Sequence, residues 1–469
     1  MTNQFIVSLS ACELLQHIHN KQLKVVEVVE AFIEQIQKVQ PQLNAISYPL
    51  FESAREQAQQ ADKKLKKLPL FGLPITLKDH VCLQGAISSF GLKGLANNQM
   101  PVSSTVADRL QKAGAIVLGM TNMAEFGAAF ETNNLIWGRT NNPYDLSRTP
   151  GGSSGGEAAL IAALASPLGI GTDAGGSIRV PSHYCGLVGL KPSRGRVPHT
   201  HIIPPTNGLI GELAYISPMA KTVQDVALAF EVIRGADGFD PRTFDIHLEN
   251  YQKVNLKDLK VAYYSNAGQN LEVEESTEKA IKNAVACLQT VCASTEEIAS
   301  DFLLDTYPMW LSFFTGGSGS QAMKFAIENF FNTKEYGEVL QALFTELDKP
   351  ENIISMADFQ FLLMKWTLLG KHFQSIFRKA DIIISPVSRT AAPKHGETLG
   401  KLKDFAYTFV HNLSGLPSLT VRCGTTPTGL PIGVQITANF YREDICFAVG
   451  EFLEKTLQVN TVPKTFLHQ

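Results

Sequence analysis

The sequence predicts an α/β fold carrying a helical insertion, and three observations predict it. Apolar runs bounded by glycine and proline alternate with segments of helical periodicity through the first third of the chain. The stretch 149–198 is glycine-rich yet apolar, with little charge. After an aromatic region, strand-like runs resume with no Ser/Pro-rich linker in between.

Taken in order, Ser8 or Ser10 is expected to cap a first short helix. Residues 24–39 predict a second, because Val25, Val28, Val29, Phe32, Ile33 and Ile36 recur at helical spacing. A third, charged helix is expected over 53–65. LPLFGLPITLKD (68–79) reads as a turn and a buried strand, since an apolar run bounded by Gly and Pro suits a sheet interior. A helix over 102–112 leads into a second buried strand, GAIVLG (114–119). Beyond the glycine-rich stretch come an amphipathic helix over 223–233 and a short strand over 259–264. Residues 302–377 are rich in Phe, Trp, Met and Leu at helical spacings, broken at Gly316 to Gly319 and at Pro350. Strands return at 380–386, 418–422 and 432–438. One domain over 1–469 is therefore expected, with N-terminal helices over 1–66 and a core over 67–240. The helical aromatic insertion would span 300–378 and a C-terminal core 379–469. No internal repeat is visible.

Composition narrows the function classes. With 469 residues, 44% apolar and 18% charged, the chain has ample material for a large core and no disordered or fibrous bias. A net charge of −3 gives no basic footprint for nucleic acid, and no polybasic run points to an anionic membrane surface. The seven cysteines are scattered with no C-x-x-C, which favours reduced thiols in a cytosol over a disulfide framework or a zinc site. No signal peptide is expected from the first residues. The longest apolar segment, 158–171, contains Pro167 and falls short of the ~20 residues a membrane span needs.

Chemistry concentrates in the glycine-rich stretch. Gly169-Ile-Gly171-Thr-Asp-Ala174 satisfies a dinucleotide-loop pattern, but Gly175, Gly176 and then Pro181 follow where a helix and a distant acid should. A phosphate loop fails because Ser177, not lysine, follows Gly176. Gly151 to Gly155 fits a nucleophile elbow, but no histidine carries a recognisable context for one. Two Gly-flanked serines, Ser153 and Ser177, lie 24 residues apart, with room between for a helix and a strand that return the chain to the same sheet end. The amides of Ala174, Gly175, Gly176 and Ser177 could form a nest facing a developing oxyanion. Lys78 ends an apolar strand, as a lysine aimed into a site would.

The run GGSSGGEAALIAALASPLGIGTDAGGSIRVPSHYCGLVGLKPSRGRVP (151–198) resembles the signature segment of the amidase signature family. LPITLKD upstream and SPMAKTVQDVA downstream match that family as well, and GGSSGGE with GLPIGVQI most resembles its fatty acid amide hydrolase-like branch. The similarity covers roughly 70–235 and 381–455. It implies a central mixed β-sheet flanked by helices on both faces. It places the family's catalytic lysine on Lys78, its cis-peptide serine on Ser153 and its nucleophile on Ser177. It places the oxyanion loop on Ala174, Gly175, Gly176 and Ser177, a loop-shaping buried pair on Asp173 and Arg179, and a substrate contact on Gly127, with Ser153 as a second. The activity implied is hydrolysis of a carboxamide C–N bond through an acyl-enzyme, on hydrophobic or aryl amides including fatty acid amides, with no cofactor and no metal. Its alternative is the glutaminase subunit of a tRNA-dependent amidotransferase, with an inactive binding protein as a third. The expected partner is a small-molecule amide, with a homodimer as the assembly allowed for.

In that mechanism neutral Lys78 takes a proton from Ser153, which takes one from Ser177. A lysine titrating near ~10.4 must be brought to ~7–8, so burial must disfavour its charge by about 4 kcal/mol. Asp79, one residue on, is expected to point to the other side of the strand. His80 is expected to pack or to support the site, and His199 and His201 lack the further ligands a metal needs. Ser276 in S-x-x-K with Lys279 reads as a helix N-cap, and Cys185 as a small buried hydrophobe. Trp310, Phe313, Phe314, Phe330, Phe331, Phe359, Phe361 and Trp366 read chiefly as core, with an apolar acyl channel as the other reading.

Overall fold

The computed structural model describes residues 1–64, 66–206, 208–266, 271–459 and 463. Among them an eleven-stranded mixed sheet runs in the order β1-β3-β2-β4-β6-β5-β10-β11-β9-β7-β8. The strands are β1 (Ile46–Pro49), β2 (Pro74–Lys78), β3 (Ile116–Thr121), β4 (Leu168–Asp173), β5 (Val188–Lys191) and β6 (Tyr215–Ala220). They continue with β7 (Lys260–Tyr263), β8 (Ser294–Glu297), β9 (Ile382–Pro386), β10 (Ser418–Thr425) and β11 (Pro431–Ala438). Strands from both sides of the aromatic region thus share one sheet.

Two helical layers cover it, and the period-two alternation of the strands decides what faces each. On β9, Ile382 and Ile384 pack into one apolar layer and Ile383 into the other. The first layer receives α3 (Val25–Leu43), whose Val28, Val29, Phe32, Ile33 and Ile36 are buried as their spacing predicts. Burying one such Phe or Ile contributes about 1.5–3 kcal/mol. Helices α1 (Asn3–Ser8), α2 (Ala11–His19), α4 (Phe51–Lys63) and α5 (Thr105–Lys112) add to that layer. Two further helices, α6 (Gly155–Ala162) and α7 (Arg179–Cys185), carry the glycine-rich stretch against the other face. α8 (Gly208–Leu213) follows, then α9 (Val223–Ile233) and α10 (Glu275–Gln289), both in the first layer. The aromatic region folds as α11 (Thr306–Thr315), α12 (Gln321–Asn329), α13 (Glu338–Leu347) and α14 (Met356–Ile376), and with α15 (Ala406–Ser414) it builds the second layer. α16 (Glu443–Leu457) closes the first.

Several boundaries differ from the expectations. Ser10 caps α2, with a reciprocal bond to Glu13, and the helix before it is capped by Thr2 instead. Leu65, the expected end of the third helix, and 460–462 and 464–469 of the expected C-terminal core lie outside the described residues. Ser276 is not an N-cap: Glu274 holds that position and Ser276 sits inside α10. No helix among the described residues is long and apolar enough to cross a membrane.

The sheet order places the site. β2 lies between β3 and β4 and runs parallel to both, so three carboxyl ends meet at one sheet edge. The chain goes from β2 to one side for β3 and to the other for β4. Such a switch point opens a crevice, and Lys78 is the last residue of β2 at that end.

Candidate active site

On β2, Ile75 and Leu77 turn into the first helical layer, while Thr76 and Lys78 face α6. Lys78 is fully buried, and its Nζ lies 2.6 Å from Ser153 Oγ and 2.9 Å from Thr172 Oγ1. Ser153 reaches it from the turn before α6, where the Gly152–Ser153 peptide is cis. Only glycine fits before it, because a Cβ at Gly152 would stand 2.5 Å from the Ala129 carbonyl oxygen.

Burial lowers the Lys78 amine to about 7, against the pull of Asp173, Glu157 and Asp79. The same burial raises Glu157 to about 8, its oxygens meeting Thr76 Oγ1 at 2.6 Å and Thr121 Oγ1 at 3.0 Å. Asp79 turns away as the strand pleat requires. It accepts from the Ser89 amide at 2.6 Å and from the Ser89 hydroxyl, and burial lifts its carboxyl to about 6. Burial thus disfavours charge on Lys78, Glu157 and Asp79 alike, and at the amine it outweighs the pull of the acidic neighbours.

The loop after β4 is braced from below. Asp173 and Arg179, both fully buried, make a two-bond pair with each contact at 2.9 Å. Burial works to raise the Asp173 carboxyl, yet the Arg179 charge and hydrogen bonds from Arg179 and Asn412 hold it well below the ordinary range. Arg179 also donates to Asn412 Oδ1, Gln435 Oε1 and the Thr408 carbonyl, so its polar hydrogens are well used. From above, Trp310 Nε1 donates to the Ala174 carbonyl at 2.7 Å and Thr408 Oγ1 to the Gly175 carbonyl at 2.5 Å. One expectation is corrected here. The Gly176 amide donates to Asp173 Oδ1 at 2.7 Å instead of facing the cavity. A carboxylate needs donors when buried, and this amide is within its reach. Ser177 stands on the cavity wall with Ser153, and its carbonyl accepts from the Ser154 amide at 3.3 Å. No hydrogen bond joins the two serine hydroxyls among the described residues, so the structure brings Lys78 to Ser153 but leaves the second link open.

Above these residues lies a cavity of about 830 Å³, lined mostly by apolar side chains. The aromatic region divides between the two readings. Phe313, Phe314, Phe330 and Phe331 line the cavity, as does Gly127. Trp310 stacks on Phe409 at 4.1 Å, while Phe359 and Trp366 pack around Phe313 as core. Phe361 does neither, being 65% exposed. His199 lies on the cavity wall bonded to Thr206, and Cys185 is buried with its thiol pushed up by desolvation.

Sequence reading missed the braces. Trp310, Thr408, Asn412 and Gln435 lie 130 or more residues from the loop they hold, and nothing local marks them. Thr172, inside the quoted run and two residues before Ala174, was open to notice.

Residues 27–447 match the family model described as Amidase. The chain is 31% identical to a glutamyl-tRNA(Gln) amidotransferase subunit of Microcystis aeruginosa, over 94% of this chain and 96% of that protein. It is also 31% identical to fatty-acid amide hydrolase 2 of Homo sapiens, over 96% of this chain and 89% of that one. Among solved structures, 6-aminohexanoate cyclic dimer hydrolase complexed with substrate superposes with a TM-score of 0.85 at 26% identity, covering 98% of this chain and 99% of that one. Because two different activities are met at the same identity, the expected fatty acid amide hydrolase-like branch is not singled out.

Proposed function

This chain belongs to the amidase family and is an amide-hydrolysing enzyme, and on that premise we propose that Lys78, Ser153 and Ser177 cleave small amides that are apolar on both sides of the scissile bond. Neutral Lys78 accepts the Ser153 proton while Ser153 accepts that of Ser177. Ser177 Oγ then bonds to the carbonyl carbon, and the oxyanion is held by amides of Ala174, Gly175 and Ser177. Ser153 passes a proton to the leaving nitrogen and regains one from Lys78, the C–N bond breaks and the acyl group stays on Ser177. Water gives a proton through Ser153 to Lys78 as it attacks the ester, and the relay returns that proton to Ser177 Oγ as the Oγ–acyl bond breaks and the acid leaves. The open link between the serines closes when substrate presses the loop, as apo sites commonly tighten. Asp173 and Arg179 hold that loop, Gly127 and Ser153 contact substrate, and no metal or cofactor takes part. The whole chain acts as one domain in the cytosol.

One observation carries the substrate class: no lysine or arginine is among the described residues lining the cavity. A glutamine substrate would bury its α-carboxylate there without a cation, at a cost of several kcal/mol. The second reading, a glutaminase subunit, is supported by the identity to the Microcystis aeruginosa amidotransferase protein. Purified enzyme is expected to hydrolyse p-nitroanilides with a rate that grows with acyl chain length, and to leave glutamine untouched. It should also be labelled by a fluorophosphonate, with labelling lost in Ser177→Ala. Glutamine turnover without anilide turnover would overturn the substrate class, and labelling that survives in Ser177→Ala would overturn the nucleophile.

A further inference from the structure

Lys78 has a second partner that the proposed reaction does not use, and it leads to a histidine. Thr172 Oγ1, 2.9 Å from Lys78 Nζ, lies 2.6 Å from His80 Nε2. On the other side of the ring, His80 Nδ1 lies 2.9 Å from the Ile203 carbonyl oxygen. Lys78, Thr172 and His80 are all buried, and the imidazole stacks on Phe90 with ring centroids 5.1 Å apart.

The directions of these bonds are forced. A carbonyl only accepts, so Nδ1 carries the ring hydrogen. In a neutral imidazole Nε2 then only accepts, so the Thr172 hydroxyl donates to it. Having given its hydrogen away, Thr172 Oγ1 can meet Lys78 only as an acceptor of an amine N–H. The amine lone pair is left for the remaining partner, the Ser153 hydroxyl at 2.6 Å. Were Thr172 turned round, its hydrogen would occupy the lone pair that Ser153 needs. A protonated His80 would donate from both nitrogens and cause that reversal. Burial opposes such a proton, as would any charge on Lys78 or His199, while the Ile203 carbonyl favours it. Lys78 in turn faces Asp173, Glu157 and Asp79.

We propose that His80 is a positioning residue which, through Thr172, fixes the Lys78 lone pair on Ser153. The inference rests on the reading of Lys78 as the base. In the intact enzyme, nitrogen-15 NMR of His80, assigned by its disappearance in His80→Gln, should show the Nδ1–H tautomer from pH 6 to pH 9. An Nε2–H tautomer overturns the proposal whether or not any amide is hydrolysed. Thr172→Val and His80→Phe should each lower kcat on an anilide by about 100-fold with little change in KM. The double variant should lose no more than Thr172→Val alone, because His80 acts only through that hydroxyl. His80→Gln, which can still accept from Thr172, should recover part of the loss. Full kcat in His80→Phe, or additive losses in the double variant, overturns the proposal. If His80→Phe does not fold, the tautomer still decides. A folded wild type that hydrolyses no amide defeats the proposed function instead, which the tautomer measurement does not depend on.

Discussion

Lys78 and Lys191 make a natural comparison: both are fully buried, and each is the last residue of a strand, β2 and β5 respectively. Burial pushes both amines down, and at Lys191 the nearby Arg179 charge adds to it. What differs is the company. Lys78 meets two hydroxyls that line the cavity, and that of Ser153 is able to give it a proton. Lys191 donates to the Pro192 carbonyl at 2.7 Å, and its Nζ sits 3.7 Å from the centre of the Tyr215 ring. A carbonyl and a π face can receive an N–H but have no proton to hand over. Desolvation alone therefore makes a neutral lysine. A base needs, in addition, a neighbour that can release a proton into it.

That contrast is broken most directly by removing each amine. Lys78→Ala should reduce amide turnover by about three to four orders of magnitude with the fold retained. Lys191→Met should keep turnover within about tenfold and act mainly on stability. Anilide kinetics on variants whose circular dichroism matches the wild type would measure both. Near-normal turnover in Lys78→Ala would remove the relay, and an equal collapse in Lys191→Met would erase the distinction between the two sites.

The sequence made one of these lysines conspicuous and hid the other for physical reasons. Lys78 ends a run whose Gly and Pro borders and apolar interior announce a buried strand, and the paired Gly-flanked serines supply a reason for an amine nearby. β5 is four residues long and lies inside the glycine-rich stretch, where Gly189 interrupts the short run of side chains that would mark a strand. β6 carries Pro218 in mid-sheet, a residue that argues against a central strand. β8, STEE, has no apolar face to read. The loop around Ser177 was legible as a nest, but not the diversion of the Gly176 amide to Asp173, which depends on where a carboxylate comes to rest. The aromatic region could be read as helical, whereas its division into wall and core depends on which faces meet the cavity.

The cost of the buried amine at Lys78 should itself be measurable. In the unfolded chain this lysine keeps its proton up to about 10.5, in the folded chain only to about 7. Between those values the unfolded state binds the extra proton, so this group makes stability rise with pH across the window, and its full cost is present below pH 7. The cost is bounded near about 5 kcal/mol. Lys78→Met removes it but leaves the Ser153 and Thr172 hydroxyls without the amine, a loss of about 1–3 kcal/mol together. A net gain of about 2 kcal/mol is expected at pH 6, fading as pH approaches 10. Urea unfolding at both pH values checks it, and a gain that does not shrink at high pH would assign the effect to packing.

The smallest effect is also the most specific to Lys78. Its amine must be neutral to accept a proton, so kcat/KM should fall by about tenfold from pH 8 to pH 6 as the lysine near 7 gains its proton. Glu157, raised to about 8 and facing the same amine, titrates nearby, so the limb belongs to the pair as much as to either residue. Glu157→Gln, which keeps hydrogen-bonding capacity toward Thr76 and Thr121 but cannot ionise, should leave a single limb with the same sign. Lys191→Met should leave the limb where it is, since no proton passes through that amine. A limb that moves with Lys191 and not with Glu157 would mean that the two buried lysines share one electrostatic field, and that hydroxyl company is not what separates them.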